Sequence, residues 1–129
     1  MFLAAPPPED RLVRDLLGYI TSHLGQDLTP PALAARAGVS ARHLTRLFAT
    51  HLSTTPARAV RSARAEAAAQ LIRSTELPLA AIARRCGFGS PQTLRSALVD
   101  RYGISGDTMR KMTDMTLAPT DLDDHTSAA

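Results

Sequence analysis

Leu33-Ala34-Ala35-Arg36-Ala37-Gly38-Val39-Ser40 returns 49 residues later as Ile82-Ala83-Arg84-Arg85-Cys86-Gly87-Phe88, followed by an inserted Gly89 and then Ser90. Each copy holds what two closely crossed helices and a tight turn between them require. A small side chain, Ala34 or Ala83, stands where the helices touch, and a glycine, Gly38 or Gly87, stands where the turn needs positive φ. An apolar residue, Val39 or Phe88, follows and closes the shared core. The next helix then docks through Leu44, Leu47 and Phe48 in one copy, and through Leu94, Ala97 and Leu98 in the other. Spacings of three and four put each set on one face. A single pattern of this kind is common among helical hairpins. Two copies, evenly spaced, point to a tandem helix-turn-helix.

Working outward, strand signals are nearly absent: five aromatics are present, and Ala, Leu and Arg dominate. Thr29-Pro30, Thr55-Pro56 and Ser90-Pro91 each place a cap residue before a proline at the first helical position. Ser40 and Ser105 are further N-cap candidates, and Pro78 opens another helix. The predicted helices are Glu9–Leu24 (apolar face Leu12, Leu16, Leu17, Ile20, Leu24), Pro30–Ala37, Ala41–His51, Pro56–Arg73, Pro78–Arg85, Pro91–Arg101 and Gly106–Met112. The fourth is about 27 Å long at 1.5 Å per residue. The expected fold class is all-α, with seven helices in two homeodomain-like helix-turn-helix subdomains joined by a long linker helix. The expected domains are a linker-like extension (1–8), a first subdomain (9–54), the linker helix (55–74), a second subdomain (75–112) and a disordered acidic tail (113–129).

Charge divides along the same lines. The chain carries a formal net charge of +3, with 15 basic and 12 acidic side chains. Asp114, Asp121, Asp123 and Asp124 fall after residue 112 with no Lys or Arg, so the remainder holds 15 basic against 8 acidic residues, +7. Fourteen of the basic residues are Arg, whose planar fork suits phosphates and guanine edges. High coding GC content would produce the same bias, so composition by itself leaves nucleic-acid binding open.

Other classes find little support. Mean hydropathy is -0.08, and no apolar run approaches the roughly 18 residues of a membrane span. The first eight residues lack a basic n-region and a long apolar segment and read as a linker scar, not a signal peptide. One cysteine, Cys86, excludes an internal disulfide and suits a reducing cytoplasm. His23, His43, His51 and His125 have no metal-ligand spacing. No phosphate loop, catalytic triad or acid pair occurs, so neither catalysis, nor a metal, nor a cofactor is expected.

From about Arg11 to Met112 the chain resembles the DNA-binding domain of the arabinose-regulator (AraC/XylS) family of bacterial transcription factors. The resemblance rests on Gly38-Val39-Ser40-Ala41-Arg42-His43-Leu44-Thr45-Arg46-Leu47-Phe48, on Thr55-Pro56-Ala57-Arg58, and on Ile82 to Leu94, which is similar to the family's signature region. The wording of Thr54 to Arg58 and Arg84 to Ser90 is most similar to members fused to a DJ-1/PfpI glutamine-amidotransferase-like domain, absent from these 129 residues. The resemblance implies a rigid fourth helix and two recognition helices, the third and sixth. These would enter successive major-groove segments about 34 Å apart. It further implies an asymmetric double-stranded DNA site bound by a monomer, a cytoplasmic, nucleoid-associated location, and activation through RNA polymerase.

Carried over residue by residue, the resemblance puts Arg42, Thr45 and Arg46 at base-reading positions of the first unit. Arg can pair bidentately with guanine, and Thr45 can touch a thymine methyl. Gln92 and Thr93 match reading positions of the second unit, with Arg95 beside them, and Gln suits adenine. His43 lies between faces as a packing or phosphate-contact residue rather than a titrating switch. The second unit departs from the family: Ser96 replaces an Arg, Leu98 an aromatic and Asp100 a base. It is therefore expected to bind more weakly and read less. Gly106 replaces a proline and Asp107-Thr108-Met109 a more basic, aromatic segment, so a loose seventh helix is expected. Ser53 stands where glycine is common, so that turn is expected to differ. Arg58, Arg61 and Arg64 form a stripe that a solvated face explains as well as phosphate contact does. Cys86 is expected to be buried and inert. The competing reading is a degenerate module that acts through protein partners, motivated by Ser96, Asp100 and the acidic tail.

Overall fold

The computed structural model describes residues 8–117, with side chains to residue 115. Seven helices follow in order: α1 (Pro8–Ser22), α2 (Pro30–Ala37), α3 (Ala41–Leu52), α4 (Pro56–Ser74), α5 (Leu79–Arg85), α6 (Pro91–Tyr102) and α7 (Gly106–Leu117). Among the described residues there is no strand. The chain forms two compact units whose division falls between Arg64 and Ala65, inside α4.

In the first unit the α1 stripe carries the packing: Leu16 and Ile20 are buried, with Leu12, Leu17 and Leu24 against the same core. They meet Leu33 and Ala34 of α2 and Leu44 and Phe48 of α3. Phe48 is fully buried, and burial of such a side chain contributes about 1.5–3 kcal/mol. Ala34 fills the α2–α3 contact as its size requires. Gly38 takes φ 73 at the turn, and Val39 packs half-buried on the core. Ser40 caps α3, its Oγ accepting from the His43 N–H at 3.0 Å. α1 ends two residues earlier than the apolar pattern suggests, because His23 N–H turns back to the Ile20 carbonyl.

The second unit repeats the device with the second half of α4 in place of α1. Ala65, Ala68, Ala69 and Ile72 pack on Ile82, Ala83, Leu94, Ala97 and Leu98. Gly87 takes φ 84, Phe88 is buried, and Ser90 accepts from Thr93 N–H. Cys86 is buried as expected. Its burial pushes the thiol pKa up, against a smaller pull from Arg85, which disfavours the reactive thiolate.

Three expectations need correction. Ser53 does not alter its turn: it adopts φ 55 and ψ 35, the left-handed conformation a glycine would take, and its N–H reaches the Ala49 carbonyl. Gly103 holds the matching place in the second unit, at φ 81. Secondly, the first turns of α7 are capped and packed on the core of the second unit. Ser105 Oγ accepts from Thr108 N–H, Met109 is buried, and a Cβ at Gly106 would lie 3.2–3.3 Å from Leu98 and Leu79 side chains. The glycine thus permits a close approach. Thirdly, α7 runs to Leu117 instead of ending at Met112. Nothing in residues 113–117 breaks a helix; the first proline after Gly106 is Pro119. The remainder of the expected tail, 118–129, and residues 1–7 of the expected extension lie outside the described residues.

The arginine stripe on α4 also resolves in part. Arg64 is half-buried and committed to the backbone: its Nε donates to the Leu24 carbonyl at 3.1 Å and its Nη2 to the Gln26 carbonyl at 3.0 Å. In the second unit Arg110 of α7 donates to the Leu77 and Thr75 carbonyls. In each unit, then, a guanidinium from the helix after the helix-turn-helix ties down the loop that precedes it. Burial lowers the Arg64 pKa, and nearby Asp27 opposes that shift.

Candidate nucleic-acid interface

The second helix of each helix-turn-helix, α3 and α6, buries one face and exposes the other. On α3, Leu44, Leu47 and Phe48 are buried, while Arg42, Thr45 and Arg46 are exposed. The three residues therefore share the outward face, as i, i+3, i+4 geometry demands. Thr45 donates its hydroxyl to the Ala41 carbonyl at 3.0 Å. With the hydroxyl turned onto the helix, the methyl is the group left to meet a partner.

Arg46 has one bonded neighbour and one charged one. Its Nη2 donates to His43 Nδ1 at 2.7 Å, which requires an unprotonated ring nitrogen there. Glu9 of α1 approaches the same Nη2 at 4.0 Å. The other Glu9 oxygen lies 3.7 Å from His51 Nε2, and His51 Nδ1 lies 2.7 Å from Asp10. The His43–Arg46 contact did not emerge from sequence reading, although their i, i+3 spacing on a helix is the signal for it. Glu9 gave no such signal, because its proximity depends on how α1 packs.

On α6, Leu94, Ala97 and Leu98 are buried, while Gln92, Thr93, Arg95 and Ser96 are exposed. The 50-residue offset pairs Gln92 with Arg42, Thr93 with His43, Arg95 with Thr45, and Ser96 with Arg46. Thr93 is partly committed: its Oγ1 lies 3.0 Å from Ser90 Oγ, which also accepts from its N–H. Asp100 stands exposed on the same helix. Arg101 near the C-terminus of α6 is bonded to Glu66 of α4, and that hydrogen bond raises its pKa.

The remaining histidine of the first unit is structural. His23 stacks on Tyr19 with ring centroids 4.1 Å apart, and its Nδ1 meets the Tyr19 carbonyl. Arg36 of α2 lies 4.3 Å over the same Tyr19 ring. Arg58 is exposed, as is Arg61. No described helix is long and apolar enough to cross a membrane.

Comparison with known proteins places this arrangement. A family model described as a helix-turn-helix domain matches residues 33–112. A helix-turn-helix-type transcriptional regulator of Mycobacterium tuberculosis is 44% identical over 79 residues, covering 61% of this chain and 30% of that protein. The chain thus spans less than a third of that relative. The structure of a transcriptional regulator with an AraC-type DNA-binding domain, from Chromobacterium violaceum, superposes with a TM-score of 0.75 at 25% identity, covering 81% of this chain and 93% of that one. The DNA-binding domain of AdpA, a global transcriptional factor solved in complex with a target DNA, superposes at 0.73 with 27% identity, covering 83% and 93%.

Proposed function

The chain belongs to the AraC-type helix-turn-helix family of DNA-binding transcription regulators, and from that premise we propose that it binds one asymmetric double-stranded DNA site through both recognition helices. The observation that carries this reading is the α3 face, where Arg42, Thr45 and Arg46 stand exposed over a fully buried apolar backing. Such a face offers guanidinium forks to guanine edges from a rigid support. The likeness to the AdpA domain on its target DNA supports the same use. Because α3 and α6 carry different residues at equivalent places, the two half-sites differ, and one copy of the chain reads both in adjacent major-groove segments.

In this reading Arg42, Thr45 and Arg46 specify sequence, and Gln92, Thr93 and Arg95 add weaker contacts. The chain performs no catalysis. It acts at the nucleoid in the cytoplasm, as an activator that contacts RNA polymerase; the activating direction rests on the family resemblance. The local wording shared with DJ-1/PfpI-fused members points to a regulator whose full form pairs this domain with such a partner domain. Binding of a selected duplex from a random pool, followed by Arg46→Ala, tests the proposal. Arg46→Ala should abolish the sequence-specific shift while Arg73→Ala leaves it. If the wild-type chain prefers no sequence at moderate salt, the proposal fails, since charge alone gives only salt-sensitive, indiscriminate binding.

A further inference from the structure

Resting on the reading of α3 as a recognition helix, we propose that His43 is a positioning residue that aims the Arg46 guanidinium, and that protonation of its ring relaxes sequence discrimination. Arg46 Nη2 lies 2.7 Å from His43 Nδ1. An arginine has five N–H donors and no acceptor, so the imidazole nitrogen must be the acceptor, and only an unprotonated nitrogen can be one. His43 is half-buried, and its backbone N–H is held by the Ser40 cap at 3.0 Å, which anchors the start of the helix that carries the ring. A long, rotamer-rich side chain is thereby tied at one terminal nitrogen to a neighbour on its own helix.

Bidentate pairing with a guanine edge needs the fork in one orientation, whereas a phosphate accepts it in many. The His43 contact thus favours base reading over indiscriminate backbone contact. Protonation converts the acceptor into a second donor and sets two cations beside each other at i, i+3. The fork is released, and the helix gains a charge that any phosphate can use. Specific and non-specific binding should therefore move in opposite directions.

The charged surroundings do not replace the lost acceptor. Glu9 of α1 stays 4.0 Å from Arg46 Nη2, beyond hydrogen-bond range. Asp10 is engaged by His51. The one charged side chain of α2, Arg36, lies over Tyr19. In the second unit the residue paired with His43 is Thr93 and the one paired with Arg46 is Ser96, so α6 has no counterpart of this latch.

The test measures fluorescence-anisotropy affinities for a selected duplex and its scrambled version, from pH 8 to pH 5.5, for wild type, His43→Phe and His43→Asn. For the wild type the selected-to-scrambled ratio should fall about three- to tenfold on acidification, the scale of one lost hydrogen bond, while scrambled binding tightens. His43→Phe, with no acceptor, should show the low ratio at every pH. His43→Asn, which keeps an acceptor near the Nδ1 position and does not titrate, should hold a higher ratio than His43→Phe and lose the pH dependence. A wild-type ratio that does not change with pH, or a His43→Phe ratio equal to wild type at pH 8, would overturn this inference while leaving the proposed function intact. A wild type without sequence preference at pH 8 would overturn the proposed function and this inference with it.

Discussion

The two units of this chain are alike in everything that shapes a helix-turn-helix and unlike in what the recognition helix presents. Ala34 and Ala83 fill the same helix contact, Gly38 and Gly87 make the same positive-φ turn, and Ser40 and Ser90 cap the same helix. Arg64 and Arg110 tie down equivalent loops from equivalent helices. On the outward faces nothing matches: Arg42, His43, Thr45 and Arg46 stand opposite Gln92, Thr93, Arg95 and Ser96. Folding constrains the first set of positions, because a wrong residue there leaves a void, a clash or an uncapped end. The exposed positions carry no such penalty, so whatever they hold answers to the partner.

That comparison can be broken most forcefully on DNA. Arg42→Ala should cost about 1–3 kcal/mol of specific binding, the range of a bidentate arginine–guanine pair, read as an affinity about five- to 150-fold weaker for a selected duplex. Gln92→Ala should cost less. The reverse order in the same titration would mean that the second unit is the principal reader.

A smaller effect tests the sameness of the frames. Arg64→Ala and Arg110→Ala each remove two hydrogen bonds to loop carbonyls. Each should lower unfolding free energy by about 1–3 kcal/mol, at a net 0.5–1.5 kcal/mol per bond. Denaturant titration checks this. A large loss for one and none for the other would end the claim that the struts are equivalent.

The smallest expected effect lies at the turn after each recognition helix. Ser53 holds φ 55 with a Cβ, while Gly103 holds φ 81 without one. Ser53→Gly should stabilise the protein by about 0.5–1 kcal/mol and Gly103→Ala should destabilise it by about 1 kcal/mol, the scale of left-handed strain. Thermal unfolding of both variants would sharpen the point, and a shift of the same sign in the two would contradict it.

The frame was legible because its physical demands are local. Small residues, turn glycines, capping hydroxyls before proline and i, i+3, i+4 apolar spacing each leave a mark within a few residues, and the repeat at 49–50 residues aligned them. What escaped depends on contacts distant in the chain. Arg64 looked like one of three stripe residues, since its carbonyl partners lie 38 and 40 residues away. Ser53 looked like a departure because sequence shows side-chain identity and not φ. The length of α7 was missed because a polar, low-hydropathy segment reads as disorder when the anchoring of Met109 and Arg110 is out of sight. The outward face of α3 was legible as a face, from periodicity, while the base-reading roles of its residues were supplied by family resemblance.

The proposed function has one chain reading one asymmetric site with unequal halves. The most direct measurement is the affinity of the wild-type chain for a selected duplex and for every single base-pair substitution of it, at fixed moderate salt. We predict one cluster of positions where substitutions cost about 1–3 kcal/mol each, with Arg42→Ala and Arg46→Ala each erasing the penalty at the position that arginine reads, and a second cluster with smaller penalties that respond to Gln92→Ala. Two clusters of equal strength related by a palindrome, or a profile with no discriminating positions, would contradict it.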